Sequence, residues 1–187
     1  MRITGGQMKG RRLATLRGLN IRPTSDKVRE AIFDLLGQDL TGFNVLDLYA
    51  GTGSLGMEAL SRGASWALFI DHSMRAVNLI KKNMRLCGCE VSGTILKRDL
   101  TRVLNWGDLA KEQRFGLVFI DPPYGKGMIT PVLEGLSHSQ VLASCSTVVA
   151  ESSKTDELPA KAGNLEMVDK RKYGETKLTL YRYEVDQ

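Results

Sequence analysis

The sequence has few of the side chains that bind structural metal ions. Its 187 residues include 3 cysteines and 2 histidines. No metal-ligand spacing relates Cys87, Cys89, Cys145, His72 and His138. We therefore expect no metal site, and we expect the thiols to be reduced and partly buried.

Long apolar segments are absent as well. No apolar run approaches the roughly 18 residues that a bilayer-spanning helix needs, and the N-terminus lacks the apolar core of a signal peptide. We therefore expect a cytoplasmic protein with no membrane partner. Hydrophobic residues make up 42% and charged residues 25% of the chain, as in an ordinary globular protein. One domain that functions as a monomer is the simplest expectation for this length.

The formal net charge is +5 at pH 7, and most of the surplus lies near the N-terminus. Residues 1–30 carry many basic side chains but only two acidic ones, Asp26 and Glu30. Residues 1–20 contain several glycines and have no helical period, so we expect a basic arm or hairpin ahead of a core over 21–187. A polyanion is the expected partner, although a solvated tail or an added edge strand would look similar. The candidate phosphate contacts are Arg2, Lys9, Arg11 and Arg12.

A strand, a glycine turn and a helix start are predicted between Asn44 and Glu58. The first part is apolar, as in a strand buried on both faces, and Asp47 is its only charge. Gly51 and Gly53 follow at the turn, where they allow a ligand to approach the main chain closely. A ligand should therefore bind at the carboxyl end of this strand, with Asp47 as one of its contacts.

Acidic residues follow the next two predicted strands. Asp71 ends the strand that begins at Trp66, and it lies twenty residues after Gly51, where a ribose-binding carboxylate is expected. Asp99 follows the strand after that and could accept a hydrogen bond from the amino group of an adenine. Either residue could instead cap the helix that follows it. The glycine spacing also matches a dinucleotide fingerprint, which keeps a dehydrogenase as an alternative.

The tetrapeptide Asp121-Pro122-Pro123-Tyr124 follows a fourth buried strand. Its prolines fix the backbone, so that the carboxylate of Asp121 and the carbonyl of Pro122 can present acceptors at the strand end. Such acceptors suit an exocyclic amine, whose hydrogens they would hold while Tyr124 stacks on the base. A hydride-transfer enzyme has no evident use for this turn. Together with Asp47, it favours S-adenosylmethionine as the ligand of the glycine loop.

These segments resemble a known family. The tetrapeptide is similar to motif IV of amino-methyltransferases, and the glycine turn is similar to motif I of the class I methyltransferases. Further segments resemble the bacterial 16S rRNA guanine-N2 methyltransferase family, of the small-subunit methyltransferase D type. They are Arg2–Gly6 with Lys9–Arg11, Arg22–Thr24 with Val28–Ala31, Asp47–Gly53, and Tyr173-Gly174.

The resemblance implies a Rossmann-like α/β fold with a mostly parallel seven-stranded sheet, an antiparallel C-terminal edge strand and a small basic N-terminal hairpin. It implies transfer of a methyl group from S-adenosylmethionine to the N2 amine of a guanine in 16S rRNA, free or within the small ribosomal subunit. Asp121, Pro122 and Tyr124 would be catalytic. Asp71 departs from the glutamate often found at its position. The cofactor contacts would be Asp47, Gly51, Gly53, Asp71 and Asp99.

Two further functions share part of this pattern. DNA adenine-N6 methylation uses the same local chemistry, although 187 residues leave little room for a region that holds a flipped base. A module that binds nucleotide and RNA without catalysis would also need the glycine turn and the basic arm. Glu151 ends another predicted strand, where it could contact substrate, although we expect it to lie at the surface.

Overall fold

The computed structural model describes residues 1–15, 25–101, 106–109, 114–125 and 127–184. These residues belong to two compact units, 1–99 and 100–187. The Arg22–Thr24 segment and most of the helix that Asp99 could cap lie outside the described residues. None of the described helices is long and apolar enough to cross a membrane. The assignment of residues 1–187 to a single domain stays a prediction.

The first unit alternates helices and strands as the sequence predicts. Its strands are parallel and ordered β3-β2-β1, so their carboxyl ends share one edge. Residues Val45, Leu46 and Leu48 of β1 are fully buried, which explains the apolar run before the glycine turn. The elements are α1 Asp26–Leu36, β1 Asn44–Leu48, α2 Ser54–Ser61, β2 Trp66–Asp71, α3 Met74–Cys87 and β3 Gly93–Lys97.

Helix α1 begins at an N-cap and buries a charged side chain together with its apolar residues. The Ser25 hydroxyl accepts a hydrogen bond from the Val28 amide at 3.2 Å, which satisfies one of the free N–H groups at the helix start. Ile32 and Phe33 are buried with Val28. Arg29 is also fully buried, although the helical period places it on the polar side of the helix.

The N-terminal segment forms the expected hairpin. Arg2 and Arg12 are bridge partners in antiparallel strands. On either side, the Ile3 amide donates to the Arg11 carbonyl at 3.0 Å, and the Leu13 amide donates to the Met1 carbonyl at 3.2 Å. Ile3 and Leu13 are buried. One face of the hairpin therefore packs on the first unit.

The second unit carries the remaining strands, ordered β4-β5-β8-β7-β6. Strands β4 and β5 are parallel, and the other pairings are antiparallel. The described residues thus form eight strands rather than seven, because the two-residue β6 has no apolar period from which it could be predicted. The elements are β4 Phe115–Ile120, α4 Ile129–Ser137, β5 Leu142–Ser153, β6 Lys161–Ala162, β7 Leu165–Tyr173 and β8 Thr176–Tyr183.

Candidate active site

The glycine loop follows β1 in a left-handed backbone conformation. Tyr49, Gly51 and Gly53 have φ angles of 58°, 55° and 75°. Glycine adopts this region without strain, whereas a tyrosine there costs on the order of 1–3 kcal/mol and is typical of functional sites. Gly53 is the N-cap of α2. The loop therefore brings the positive end of that helix to the carboxyl end of β1.

Asp47 lies inside β1 and is 1% exposed. Its carboxylate accepts a hydrogen bond from the Gly56 amide of α2 at 3.0 Å. Burial, reinforced by the nearby charge of Asp71, raises the pKa of Asp47 to about 8. Because the unfolded chain would release this proton at lower pH, the side chain's contribution to stability falls as the pH rises from about 4 to 8.

Asp71 holds the glycine loop against the end of β2. One carboxylate oxygen accepts from the Gly51 amide at 2.9 Å, and the other accepts from the Ser73 amide at 2.8 Å. The structure thus brings Asp71 together with the predicted loop residue Gly51. Asp99 is exposed just after β3. Its charge adds to burial in raising the pKa of Tyr49 to about 12, which places Asp99 near the same loop.

Tyr49 is a site residue that the sequence analysis did not single out. Its hydroxyl is buried and has no hydrogen-bond partner among the described residues. A buried hydroxyl without a partner is costly, and here it lies on a strained loop beside the carboxylates of Asp47 and Asp71. This combination suits the binding of a polar ligand such as an adenosyl compound. The left-handed φ that marks Tyr49 has no signal in the sequence.

A buried ionic cluster fastens the hairpin to α2. The fully buried carboxylate of Glu58 accepts hydrogen bonds from the Thr4 hydroxyl at 2.8 Å and the Gly5 amide at 2.7 Å. It also pairs with Arg29 at 3.2 Å and with Arg62 at 2.9 Å. Glu58 therefore links the basic hairpin to the helix that begins at the glycine loop.

The four basic residues singled out in the hairpin have different surroundings. All are exposed, but the Arg11 guanidinium donates to the Cys87 carbonyl at the end of α3. Arg2 and Arg12 lie directly opposite each other. Facing side chains of like charge repel, so a bound anion would stabilise this pair. Lys9 lies in the turn between them.

In the second unit, the predicted catalytic residues follow β4. Pro122 is buried and Asp121 is partly exposed. The Tyr124 hydroxyl donates to the Glu151 carboxylate at 2.8 Å and lies 2.8 Å from the Thr176 hydroxyl. Burial, together with the charges of Glu151 and Asp121, raises the pKa of Tyr124. The neutral hydroxyl thus holds the aromatic ring in place beside the Asp121 turn.

Glu151 is not at the surface, contrary to the expectation from sequence. It is 5% exposed and lines a cavity of about 160 Å³ next to Pro122 and Tyr124. The strand that carries it continues to Ser153, so its carboxylate lies within the sheet rather than beyond it. A single charged residue at the end of a short apolar run gave no indication of this burial.

Comparison with known proteins assigns the chain to a family. The family model described as conserved hypothetical protein 95 matches residues 1–182. The chain belongs to this family. Together with the methyltransferase relatives and the solved structure described below, this match confirms the resemblance that the motifs indicate, and with it the class I methyltransferase assignment.

Relatives of this chain carry methyltransferase names. It is 36% identical over 182 residues to a candidate rRNA methyltransferase, YlbH, of Bacillus subtilis strain 168, with 97% of this chain and 98% of that protein aligned. This chain is also 31% identical over 188 residues to "Ribosomal RNA small subunit methyltransferase D" of Escherichia coli K12, with 98% of this chain and 90% of that protein aligned.

A solved structure agrees with the fold. The structure of a candidate methyltransferase of Escherichia coli, yhhF, is similar to that of this chain, with 30% sequence identity and a TM-score of 0.84. The similarity covers 100% of this chain and 99% of that one. The Rossmann-like methyltransferase fold predicted from the sequence is therefore confirmed, with antiparallel strands at its C-terminal end.

Proposed function

We propose that the protein transfers a methyl group from S-adenosylmethionine to the N2 amine of a guanine in 16S rRNA. The observation that carries the proposal is the Asp121–Tyr124 turn, whose tyrosine is held beside an acidic cavity. Its acceptors suit an amine, and a relative with 31% identity is named for the small ribosomal subunit.

The glycine loop is the proposed cofactor site. The carboxylate of Asp47 would pair with the ammonium group of the methionine moiety, and Asp71 would accept from the ribose hydroxyls in place of the Gly51 amide. Asp99 would accept from the adenine amino group. Gly51 and Gly53 would allow the ligand to lie against the main chain. When bound, S-adenosylmethionine supplies an electrophilic methyl group on a sulfonium.

The Asp121 turn has a defined task in this reaction. A guanine amine is a weak nucleophile because its lone pair is delocalised into the ring. The Asp121 carboxylate and the Pro122 carbonyl would accept its two hydrogens, orient the lone pair and stabilise the positive charge that develops. The nitrogen forms its bond to the methyl carbon by in-line displacement as the carbon–sulfur bond breaks, and it then loses a proton. Tyr124 would stack on the base.

Product analysis tests the proposal directly. Small subunits and naked 16S rRNA from cells lacking the protein are incubated with it and isotopically labelled S-adenosylmethionine, and the nucleosides are analysed by mass spectrometry. We expect N2-methylguanosine, and the comparison of substrates identifies the form of rRNA that the enzyme accepts. Label appearing only as N6-methyladenine in a parallel incubation with DNA, or no transfer at all, would refute the proposal.

The pH dependence of cofactor binding tests the role of Asp47. Its carboxyl is largely protonated below its pKa of about 8, yet pairing with an ammonium group requires the ionised form. The affinity for S-adenosylmethionine should therefore rise by up to about tenfold per unit between pH 6 and 8. Isothermal titration calorimetry in buffers of different ionisation enthalpy should detect proton release on binding. Asp47→Asn should abolish that release, and proton release unchanged in the variant would exclude this role.

The hairpin supplies the proposed RNA contact. Replacing Arg2 and Arg12 with alanine should weaken RNA binding and make its salt dependence shallower, by about 0.7–0.9 for each phosphate that is no longer neutralised. Fluorescence anisotropy across a salt series measures both effects. Lys154→Ala is the matched control, because that charge is already paired with Glu175 at 2.7 Å. An unchanged salt slope in the double variant would show that Arg2 and Arg12 do not neutralise RNA phosphates.

Arg11 and Lys9 complete the proposed RNA surface. The hydrogen bond from Arg11 to Cys87 also gives it a structural task at the end of α3, since cations stabilise helix C-termini. Its replacement should therefore loosen the hairpin as well as weaken RNA binding. Lys9, at the hairpin turn, should affect RNA binding alone.

A further inference from the structure

The position of Glu151 follows from the register of the second unit. Ile120 of β4 pairs with Ala150 of β5 in parallel strands. The next residues along the two strands, Asp121 and Glu151, therefore come level with each other at the same end. One carboxylate begins the tetrapeptide turn, and the other lies 5% exposed in the wall of the adjoining cavity.

The cavity has the size and chemistry of a site for one base. Its volume of about 160 Å³ is well below the roughly 300–1,000 Å³ of pockets for drug-sized ligands. Pro122, Tyr124 and Ile129 supply apolar walls, while Glu151 and Asp156 supply carboxylates. Acidic walls repel phosphate and favour a ligand edge that carries hydrogen-bond donors.

Glu151 is held in a fixed orientation. The Tyr124 hydroxyl donates to one of its oxygens at 2.8 Å and also contacts Thr176. A carboxylate has about four lone-pair positions on its two oxygens, so it can accept from this hydroxyl and from a ligand at the same time. A buried acceptor in a fixed orientation discriminates strongly between a donor and an acceptor on a ligand.

Guanine and adenine differ at the atom that such an acceptor would meet. Guanine presents N1–H beside its N2 amine, so it has two neighbouring donors, whereas N1 of adenine is an acceptor. We infer that Glu151 selects guanine by accepting a hydrogen bond from N1–H while the Asp121 turn holds the N2 amine. This inference rests on the proposed function and assigns to Glu151 the choice of base.

The test compares two target bases in the substrate RNA. The guanine identified by product analysis is replaced by 2-aminopurine, which keeps the amine at position 2 but has a lone pair at N1. The native enzyme should prefer guanine by about 100-fold or more in kcat/KM. Glu151→Gln should lose about 100-fold on guanine and reduce the preference to less than about tenfold, because its amide can donate to N1.

Other variants separate base selection from support of Tyr124. Thr176→Val removes the second hydroxyl partner of Tyr124, so it should lower the rates on both bases by a similar factor and leave the preference intact. Glu151→Asp keeps the charge with a shorter reach, so it should slow the reaction but still prefer guanine. Unchanged thermal unfolding and S-adenosylmethionine affinity would verify that each variant is folded.

The outcomes distinguish the two proposals. If the native enzyme methylates guanine N2 but Glu151→Gln keeps the native preference over 2-aminopurine, base selection by Glu151 is overturned and the proposed function stands. The same holds if Glu151→Gln behaves like Thr176→Val. If the native enzyme transfers no methyl group to guanine, the proposed function fails, and the inference fails with it.

Discussion

Replacing Glu58 with glutamine is expected to lower the free energy of unfolding by about 3–5 kcal/mol, the range for a buried ion pair from which one partner is removed. The Glu58 side chain is fully buried, and the guanidinium groups of Arg29 and Arg62 are also almost inaccessible. The substitution keeps the shape of the side chain but leaves Arg62 without its counter-charge and Arg29 with only Asp26, at 2.9 Å. It also turns an amide N–H₂ group toward groups that are themselves donors, including the Thr4 and Gly5 amides.

Urea denaturation measures this destabilisation, and Glu30→Gln is the matched control. Glu30 is exposed on α1, so its replacement should change the free energy of unfolding by less than about 0.5 kcal/mol. Hydrogen exchange of the Thr4 and Gly5 amides should accelerate in Glu58→Gln, because the carboxylate is their acceptor. A destabilisation below about 1 kcal/mol would show that the cluster contributes little.

Replacing Asp121 with asparagine should reduce kcat for methyl transfer by about 100- to 1,000-fold, as when one preorganised transition-state hydrogen bond is removed. The variant retains one acceptor oxygen and nearly the same volume. It lacks the negative charge that would stabilise the amine as it becomes cationic, and its N–H₂ group can face the substrate amine. Since this effect belongs to the transition state, the affinity for RNA should change much less than kcat.

Single-turnover assays with the substrate RNA separate chemistry from binding. Glu134→Gln is the control in the same unit, because Glu134 is exposed on α4 and should leave the rate unchanged. S-adenosylmethionine affinity, measured in parallel, should be the same in both variants and the native protein. A rate for Asp121→Asn within tenfold of the native value would place the amine acceptors elsewhere.

Much of the fold could be predicted because its signals are local. The apolar run of β1 and the turn at Gly51 each depend on residues close together in the chain. The predicted strand ends also placed Asp71 and Asp121 correctly at the tips of β2 and β4. A buried parallel strand requires an apolar run followed by a turn, and both features are recognisable in the sequence.

The parts that escaped prediction depend on long-range pairing. The burial of Arg29 could not be predicted, because a helical period distinguishes polar from apolar positions but not paired charges from free ones. Its partner Glu58 lies 29 residues further along. Glu151 was misplaced for a similar reason, since the Tyr124 hydroxyl that holds it is 27 residues away.

The short β6 strand has a consequence for association between molecules. Among the described residues, β6 pairs only with Leu165 and Glu166 of β7, which leaves the longer part of β7 along the sheet margin. That part carries Lys170, Arg171 and Lys172, all of them exposed. Clustered cations at a strand edge oppose the addition of a strand from a second molecule. The positive charges near the end of β7 therefore disfavour edge-to-edge aggregation.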